Sequence, residues 1–188
     1  MNESNNSYGD LSIAGEVRFV RLLPGPLERV WAFLTDPEKR GLWLAHGETE
    51  LRAGGKVRLE FHHSQLTEAK EEIPEKYRES CQDGCSFTGT VLQCEPPRLL
   101  SHTWGEPDGS ASEVTFELSS EDDGRVRLVI THRKLGTSRD ELLSVSSGWH
   151  AHAAILVAKL EGAEPPPFWS THARLEEDYE EKLAPAAS

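Results

Sequence analysis

No apolar run in this chain approaches the ~20 residues needed to cross a bilayer, so a membrane span is excluded as an expectation. Basic residues are scarce. Lys and Arg number 20 against 32 Asp and Glu, a net charge of −12, which repels phosphate backbones and anionic membrane surfaces. Nucleic acid is therefore not an expected partner. Cysteine is sparse and odd in number, at 3, which argues against a disulfide framework and for free thiols. Cys81 and Cys85 form a C-x3-C pair beside His62 and His63. A zinc site needs four converging ligands, and this spacing is a weak match, so neither a metal nor a cofactor is expected. The opening residues Met1 to Asp10 lack the basic start and apolar stretch of a signal peptide, and a cytoplasmic location is the expectation. Also missing are a G-x-S-x-G elbow, a phosphate-cradling glycine loop and a dinucleotide fingerprint. The strand acids Glu60, Glu113 and Glu117 fall on a polar face, which leaves no paired carboxylates for hydrolysis.

What is present suits one well-buried core: 188 residues at 37% hydrophobic content are too few for two ordinary domains. Residues 1–12 are rich in Asn and Ser and are expected to be disordered. A first strand runs from Ala14 to Leu23, broken by Pro24-Gly-Pro26. Leu27, Val30, Trp31 and Leu34 then fall at helical spacing. Asp36-Pro37 ends that helix and opens a short second one reaching Leu42-Trp43. Thr49 to Arg52, a Gly54-Gly55 turn and the alternating Val57, Leu59 and Phe61 predict a hairpin.

Residues 63–85 are charged and aperiodic, with a helical turn at Glu75 to Ser80, and read as a long excursion between strands. Four more strands follow, at Ser86–Gln93, Leu99–Trp104, Ser112–Leu118 and Arg125–Arg133. Turn chemistry separates them at Glu95-Pro-Pro97, Pro107-Asp-Gly109 and Asp122-Asp-Gly124. From Asp140 to Leu160 the pattern is helical and strongly apolar, and it ends at Gly162. After the stiff Pro165-Pro-Pro167 spacer, Trp169, Leu175, Tyr179 and Leu183 mark a last, acidic helix. The chain divides into a flexible start (1–13), one domain (14–162), and a Pro-rich spacer with its helix (163–188).

The segment Leu23 to Glu38 with Trp43 resembles the opening of the activators of heat-shock protein 90 ATPase. So do Gly54-Gly-Lys56, Gly89-Thr-Val91, Pro96 to Leu100 with Thr103-Trp104, Val114 to Leu118, Thr131-His132 and Gly148-Trp149. That family lies within the START-like (Bet v 1-like, SRPBCC) superfamily. The resemblance covers residues 14–162 and implies an α+β helix-grip fold, a seven-stranded antiparallel sheet wrapped around a long C-terminal helix. The 63–85 excursion and the acidic tail depart from the family pattern. The superfamily includes lipid and hormone carriers, polyketide cyclases, antibiotic self-resistance proteins and chaperone activators, so fold alone does not select an activity.

Period-2 alternation places Leu100, His102 and Trp104 on one strand face. It places Val114, Phe116 and Leu118 on the next, and Val126, Leu128, Ile130 and His132 on the third. The helix adds Trp149, Ala153, Leu156 and Leu160. Residues expected to line a cup are thus Trp43, Phe61, His102, Trp104, Phe116, Ile130, His132, Trp149, Ala153 and Leu156. Three readings follow. The first is a non-enzymatic carrier or sensor of a small hydrophobic ligand. The second is an interaction module, either a homodimer or, as the resemblance implies, a chaperone partner with a place in the stress response. The third is a cyclase- or hydrolase-like enzyme using His102 and His132 as acid and base. The bland reading of those histidines is a neutral core pair bonded to backbone. The tail stripe is free to dock on a second subunit or to pack back on its own domain.

Overall fold

The computed structural model describes residues 3–81, 84–105, 111–136 and 138–183. The Pro107-Asp-Gly109 turn lies outside the described residues, as does the side chain of Cys81. In chain order the elements are β1 (Val17–Pro24), α1 (Leu27–Thr35), α2 (Pro37–Gly41), β2 (Lys56–Phe61), α3 (Glu75–Cys81), β3 (Cys85–Glu95), β4 (Leu99–Trp104), β5 (Ser112–Ser120), β6 (Arg125–Arg133), α4 (Arg139–Glu161) and α5 (Phe168–Leu183). Leu27, Val30 and Leu34 give α1 its buried stripe. Asp36 ends α1 and caps α2 by accepting from the Lys39 N–H at 3.0 Å, with Pro37 in the first helical turn.

The strands form one antiparallel sheet in the order β1-β6-β5-β4-β3-β2. Its register sets His102, Val114, His132 and Val17 side by side in one inner row. The 23-residue α4 crosses the inner face and stops at Gly162, whose φ of 69° suits a helix C-terminus. It is buried on two sides. Trp149 meets Phe116 and His132 of the sheet, while His150 meets Tyr179 of α5. A helix packed on both sides carries little amphipathic contrast, and this is why its sequence reads as apolar throughout. The arrangement is the helix-grip fold.

Three expectations are corrected. The sheet has six strands, not seven, among the described residues. Residues 46–50 run beside β2 through isolated bridges only, His46 with Glu60 and Thr49 with Val57. Two features accompany the break: Gly47 sits at φ +102°, and the Arg40 guanidinium reaches in to take the carbonyls of Ala45, Gly47 and Arg58. The adjacent turn is centred on Ala53-Gly54, closed by the Gly55 N–H to Arg52 O at 2.9 Å, not on Gly54-Gly55. Finally, the N-terminal segment expected to be disordered is anchored from its 3-10 turn Glu3–Asn6 onward. Asn5 bonds both backbone groups of Leu22, and the Gly9 N–H donates to the Tyr179 hydroxyl at 2.7 Å.

α5 packs back on its own domain along α4, burying Phe168, Trp169, His172, Leu175 and Tyr179. The apolar stripe of the tail is thus occupied within the chain.

One inward position of β1 carries a charge. Arg21 is fully buried. It donates from Nη1 to the Val20 carbonyl at 2.8 Å and lies 5.4 Å from the Phe19 ring centroid, but Nε and Nη2 have no hydrogen-bond partner among the described residues. Burial pushes its pKa down to about 10. An uncompensated buried cation opposes folding. Arg21→Met is accordingly expected to stabilise the protein by about 1–3 kcal/mol, read as a higher urea midpoint at unchanged m-value. A lower midpoint would show that the guanidinium is a net structural asset.

Candidate functional site

The inner face of the sheet does not pack completely against α4. Near the first turns of the helix lies a cavity of about 210 Å³. Its walls come from three places. Phe61, Cys85, Phe87 and Trp104 belong to the β2–β3–β4 end of the sheet. Ser144, Val145, Gly148, Trp149 and His152 belong to α4. His63, Tyr77, Phe168, Trp169 and His172 form a roof from the 63–85 excursion and α5. Phe87 lines the cavity while 39% exposed, which marks the mouth.

The roof is held by polar contacts. Both oxygens of Glu71 accept from the free N–H groups at the start of α5, Trp169 at 2.8 Å and Ser170 at 2.9 Å. Glu176 accepts from Lys76 at 2.9 Å and from the Tyr77 hydroxyl. Trp169 stacks on Tyr77, and His63 stacks on Phe168 at 4.6 Å. The two segments that depart from the family pattern therefore build one joint structure.

Of the residues expected to line a cup, Phe61, Trp104, His132 and Trp149 border this cavity. Trp43, His102, Phe116, Ile130, Ala153 and Leu156 are buried in the core around it and do not border it. Trp43 is fully buried, with its indole N–H donated to the Phe33 carbonyl at 2.7 Å. His102 gives its Nδ1–H to the Thr103 carbonyl at 2.9 Å. It stands apart from His132, with Trp104 ringed against both.

The hydrogen bonds settle the state of His132. The Trp149 indole N–H can only donate, and it meets Nδ1 of His132 at 2.9 Å. Nδ1 is therefore the acceptor, and the proton resides on Nε2, which donates to the Ser112 hydroxyl at 2.8 Å. A base that must take a proton from Ser112 needs a free lone pair at Nε2, and Trp149 enforces the opposite tautomer. Burial, reinforced by His102, pushes His132 down to about 3. Burial likewise holds His102 at about 4. Imidazoles of such low proton affinity are weak general bases near neutrality.

His152 lies one turn along α4 from Gly148, with Nδ1 donating to the Trp43 carbonyl at 2.7 Å. Burial, then the nearby His63, holds it well below the ordinary imidazole value. Among the described residues no group of three or more His, Cys, Asp or Glu is arranged to hold a metal ion.

Several cavity residues escaped sequence reasoning. Ser112, the partner of His132 behind the wall, was within reach, because the period-2 pattern of Val114, Phe116 and Leu118 extends back to it. Phe87 follows the same logic from Val91. Tyr77, Phe168 and His172 carried no such signal, since no periodicity links the excursion to the tail.

A family model described as "Activator of Hsp90 ATPase homolog 1-like protein" matches residues 24–161. The chain belongs to this family. A protein encoded by gene BPP1335 of Bordetella parapertussis, solved by solution NMR, shares 47% identity over 93% of this chain and 89% of that one, with a TM-score of 0.74. CalU16 of Micromonospora echinospora (24% identity, 90% and 89% covered, TM-score 0.62) and EF2215 of Enterococcus faecalis (18%, 92% and 86%, TM-score 0.64) share the fold. No curated protein matches the sequence. The family match stops before α5, whereas the Bordetella likeness spans nearly the whole chain. No helix among the described residues is long and apolar enough to cross a membrane.

Proposed function

We propose that this protein binds a small, largely aromatic or apolar molecule in the cavity between the sheet, α4 and α5. The observation that carries the reading is a preformed space of about 210 Å³ walled by seven Phe, Tyr and Trp side chains from the sheet, α4 and the roof. A dry cavity of about 150 Å³ already admits benzene, and drug-sized pockets begin near 300 Å³. The volume thus suits a ligand of one or two rings. The neutral, tautomer-locked histidines favour binding over acid–base turnover.

Gly148 supplies the test. A Cβ built there meets nothing within 4 Å, and glycine inside a helix costs about 1 kcal/mol relative to good helix formers. Gly148→Leu is expected to leave stability unchanged or raised while filling the cavity. Native mass spectrometry of protein from its own host should show a small bound mass in wild type that Gly148→Leu lacks. A bare wild-type mass, with no small aromatic raising the melting temperature, counts against the reading.

The family match favours a second reading, an interaction module acting on a chaperone ATPase, and it supports this more directly than it supports a cavity ligand. Stimulation of a heat-shock protein 90 ATPase by the full chain, unchanged in Gly148→Leu, would place the activity on the surface instead. No stimulation would remove it.

A further inference from the structure

The polar groups on the cavity wall are committed unequally. Three donors are used within the protein: the Trp149 indole on His132, the Trp169 indole on Ser64 at 3.3 Å, and the Tyr77 hydroxyl on Glu176. No Lys or Arg lines the space. His152 differs from these. A carbonyl can only accept, so the 2.7 Å contact between Nδ1 and the Trp43 carbonyl fixes the ring proton on Nδ1. Nε2 is then a lone pair, and it has no hydrogen-bond partner among the described residues.

That lone pair opens onto the cavity. His152 is a wall residue and only 5% exposed. Its ring neighbours are Phe168 at 4.8 Å, His63 at 5.4 Å and Phe61 at 6.2 Å between centroids, and all three are cavity walls. The unpartnered side-chain atoms that the protein seals completely belong to Arg21, Ser146 and His172. His152 Nε2 is not among them and keeps surface toward the space. Burial, then the nearby His63, keeps the ring neutral, with no carboxylate acting on it. His63 is neutral too, pushed down to about 4 by burial. A lone pair in an aromatic wall lacks a donor, so a ligand that brings one gains a hydrogen bond denied to an apolar ligand of the same shape.

We infer that the cavity selects phenols and other aromatic alcohols, whose hydroxyl donates to Nε2 of His152. The inference rests on the cavity-binding reading above and adds the ligand's polar group and the residue that reads it. His152 stands in the middle of α4, and the Trp43 carbonyl holds its ring from the segment after α2. The acceptor is thus oriented before a ligand arrives, which lowers the ordering cost of binding.

The test titrates the full chain, ¹⁵N-labelled in its imidazoles, at pH 7.5 with 2-naphthol and with 2-methylnaphthalene, in which a methyl of similar size replaces the hydroxyl. In the free protein the His152 Nε2 signal should be that of an unprotonated nitrogen. It should shift on binding 2-naphthol and stay put with 2-methylnaphthalene, a readout that needs no variant. His152→Asn offers a side-chain N–H to the Trp43 carbonyl while removing the acceptor at Nε2. The preference for 2-naphthol over 2-methylnaphthalene should be roughly tenfold smaller in this variant than in wild type, the value of one hydrogen bond. Comparing the two ratios cancels the different hydration of the probes. A proton on Nε2 in the free protein, an Nε2 signal that ignores bound 2-naphthol, or a preference unchanged in folded His152→Asn overturns the inference and leaves the cavity reading standing. Failure of both probes to bind overturns both.

Discussion

Lowering the pH from 7.5 to 5.5 should cost this protein about 5.6 kcal/mol of stability, a large share of the 5–15 kcal/mol typical of a domain. His102, His132, His150 and His152 are all buried, and burial is the leading cause that lowers each of their pKa values. His132 and His150 fall to about 3 and His102 to about 4. In the unfolded chain each returns to about 6.5. A base whose folded pKa is depressed binds fewer protons folded than unfolded between those two values, so stability rises with pH across that window and is lost as pH falls below about 6.5. Each histidine contributes about 1.4 kcal/mol over the interval, and four together give the total. Urea midpoints at the two pH values, converted with a common m-value, measure it. Loss confined below pH 4, where carboxylates titrate, would assign acid sensitivity to those acids instead.

Arg40→Met should destabilise the fold by about 3–5 kcal/mol, opposite in sign to Arg21→Met. Both guanidiniums are buried, but their surroundings differ. Arg40 donates from Nε to the Ala45 carbonyl at 3.1 Å, from Nη1 to the Thr49 hydroxyl at 2.7 Å, and from Nη2 to the carbonyls of Gly47 and Arg58. It stands in for the seventh strand, taking backbone carbonyls where a regular ladder is missing. Methionine would fill the volume and strand three carbonyls, at about 1–3 kcal/mol for each left unsatisfied, with partial relief from water at the sheet edge. Lysine would not rescue, because one ammonium cannot reproduce the planar fork. The readouts are the urea midpoint and amide exchange at residues 44–49, where protection should drop. A loss below 1 kcal/mol would mean that water replaces the arginine at little cost.

Much of the fold was legible because its signals are local. Val17, Phe19 and Leu23 alternate, Leu27, Val30 and Leu34 repeat at helical spacing, and the Gly162 helix stop and the Asp36-Pro37 junction are matters of backbone chemistry. The seventh strand was misread for a non-local reason. Residues 49–52 look like half of a hairpin and do meet β2 at Thr49 and Glu50, but just before them the Ala45 and Gly47 carbonyls are taken by Arg40, whose side-chain reach no alternation reveals. Arg21 shows the same limit from the other side. Its place in the β1 alternation was visible, whereas the two unpartnered nitrogens, Nε and Nη2, depend on what packs there from elsewhere, including Tyr179 and His150.

The candidate site divides along the same line. Trp104, His132 and Trp149 were found together because strand and helix periods aim side chains at a common interior. Whether a residue borders empty space or fills it was not in those periods: His102 and Trp43 satisfy the pattern and lie in packed core. Composition and periodicity by themselves determined the order of strands and helices, the scarcity of basic charge and the lack of a nucleophile motif, while the helix-grip arrangement was implied by the family resemblance. Tertiary structure alone decided that α5 folds back over α4, that the charged excursion meets it, and that the proton of His132 sits on the nitrogen facing Ser112. Sequence patterns report which way a side chain points from its own backbone, whereas cavities, tautomers and orphaned polar atoms depend on what arrives from elsewhere in the chain.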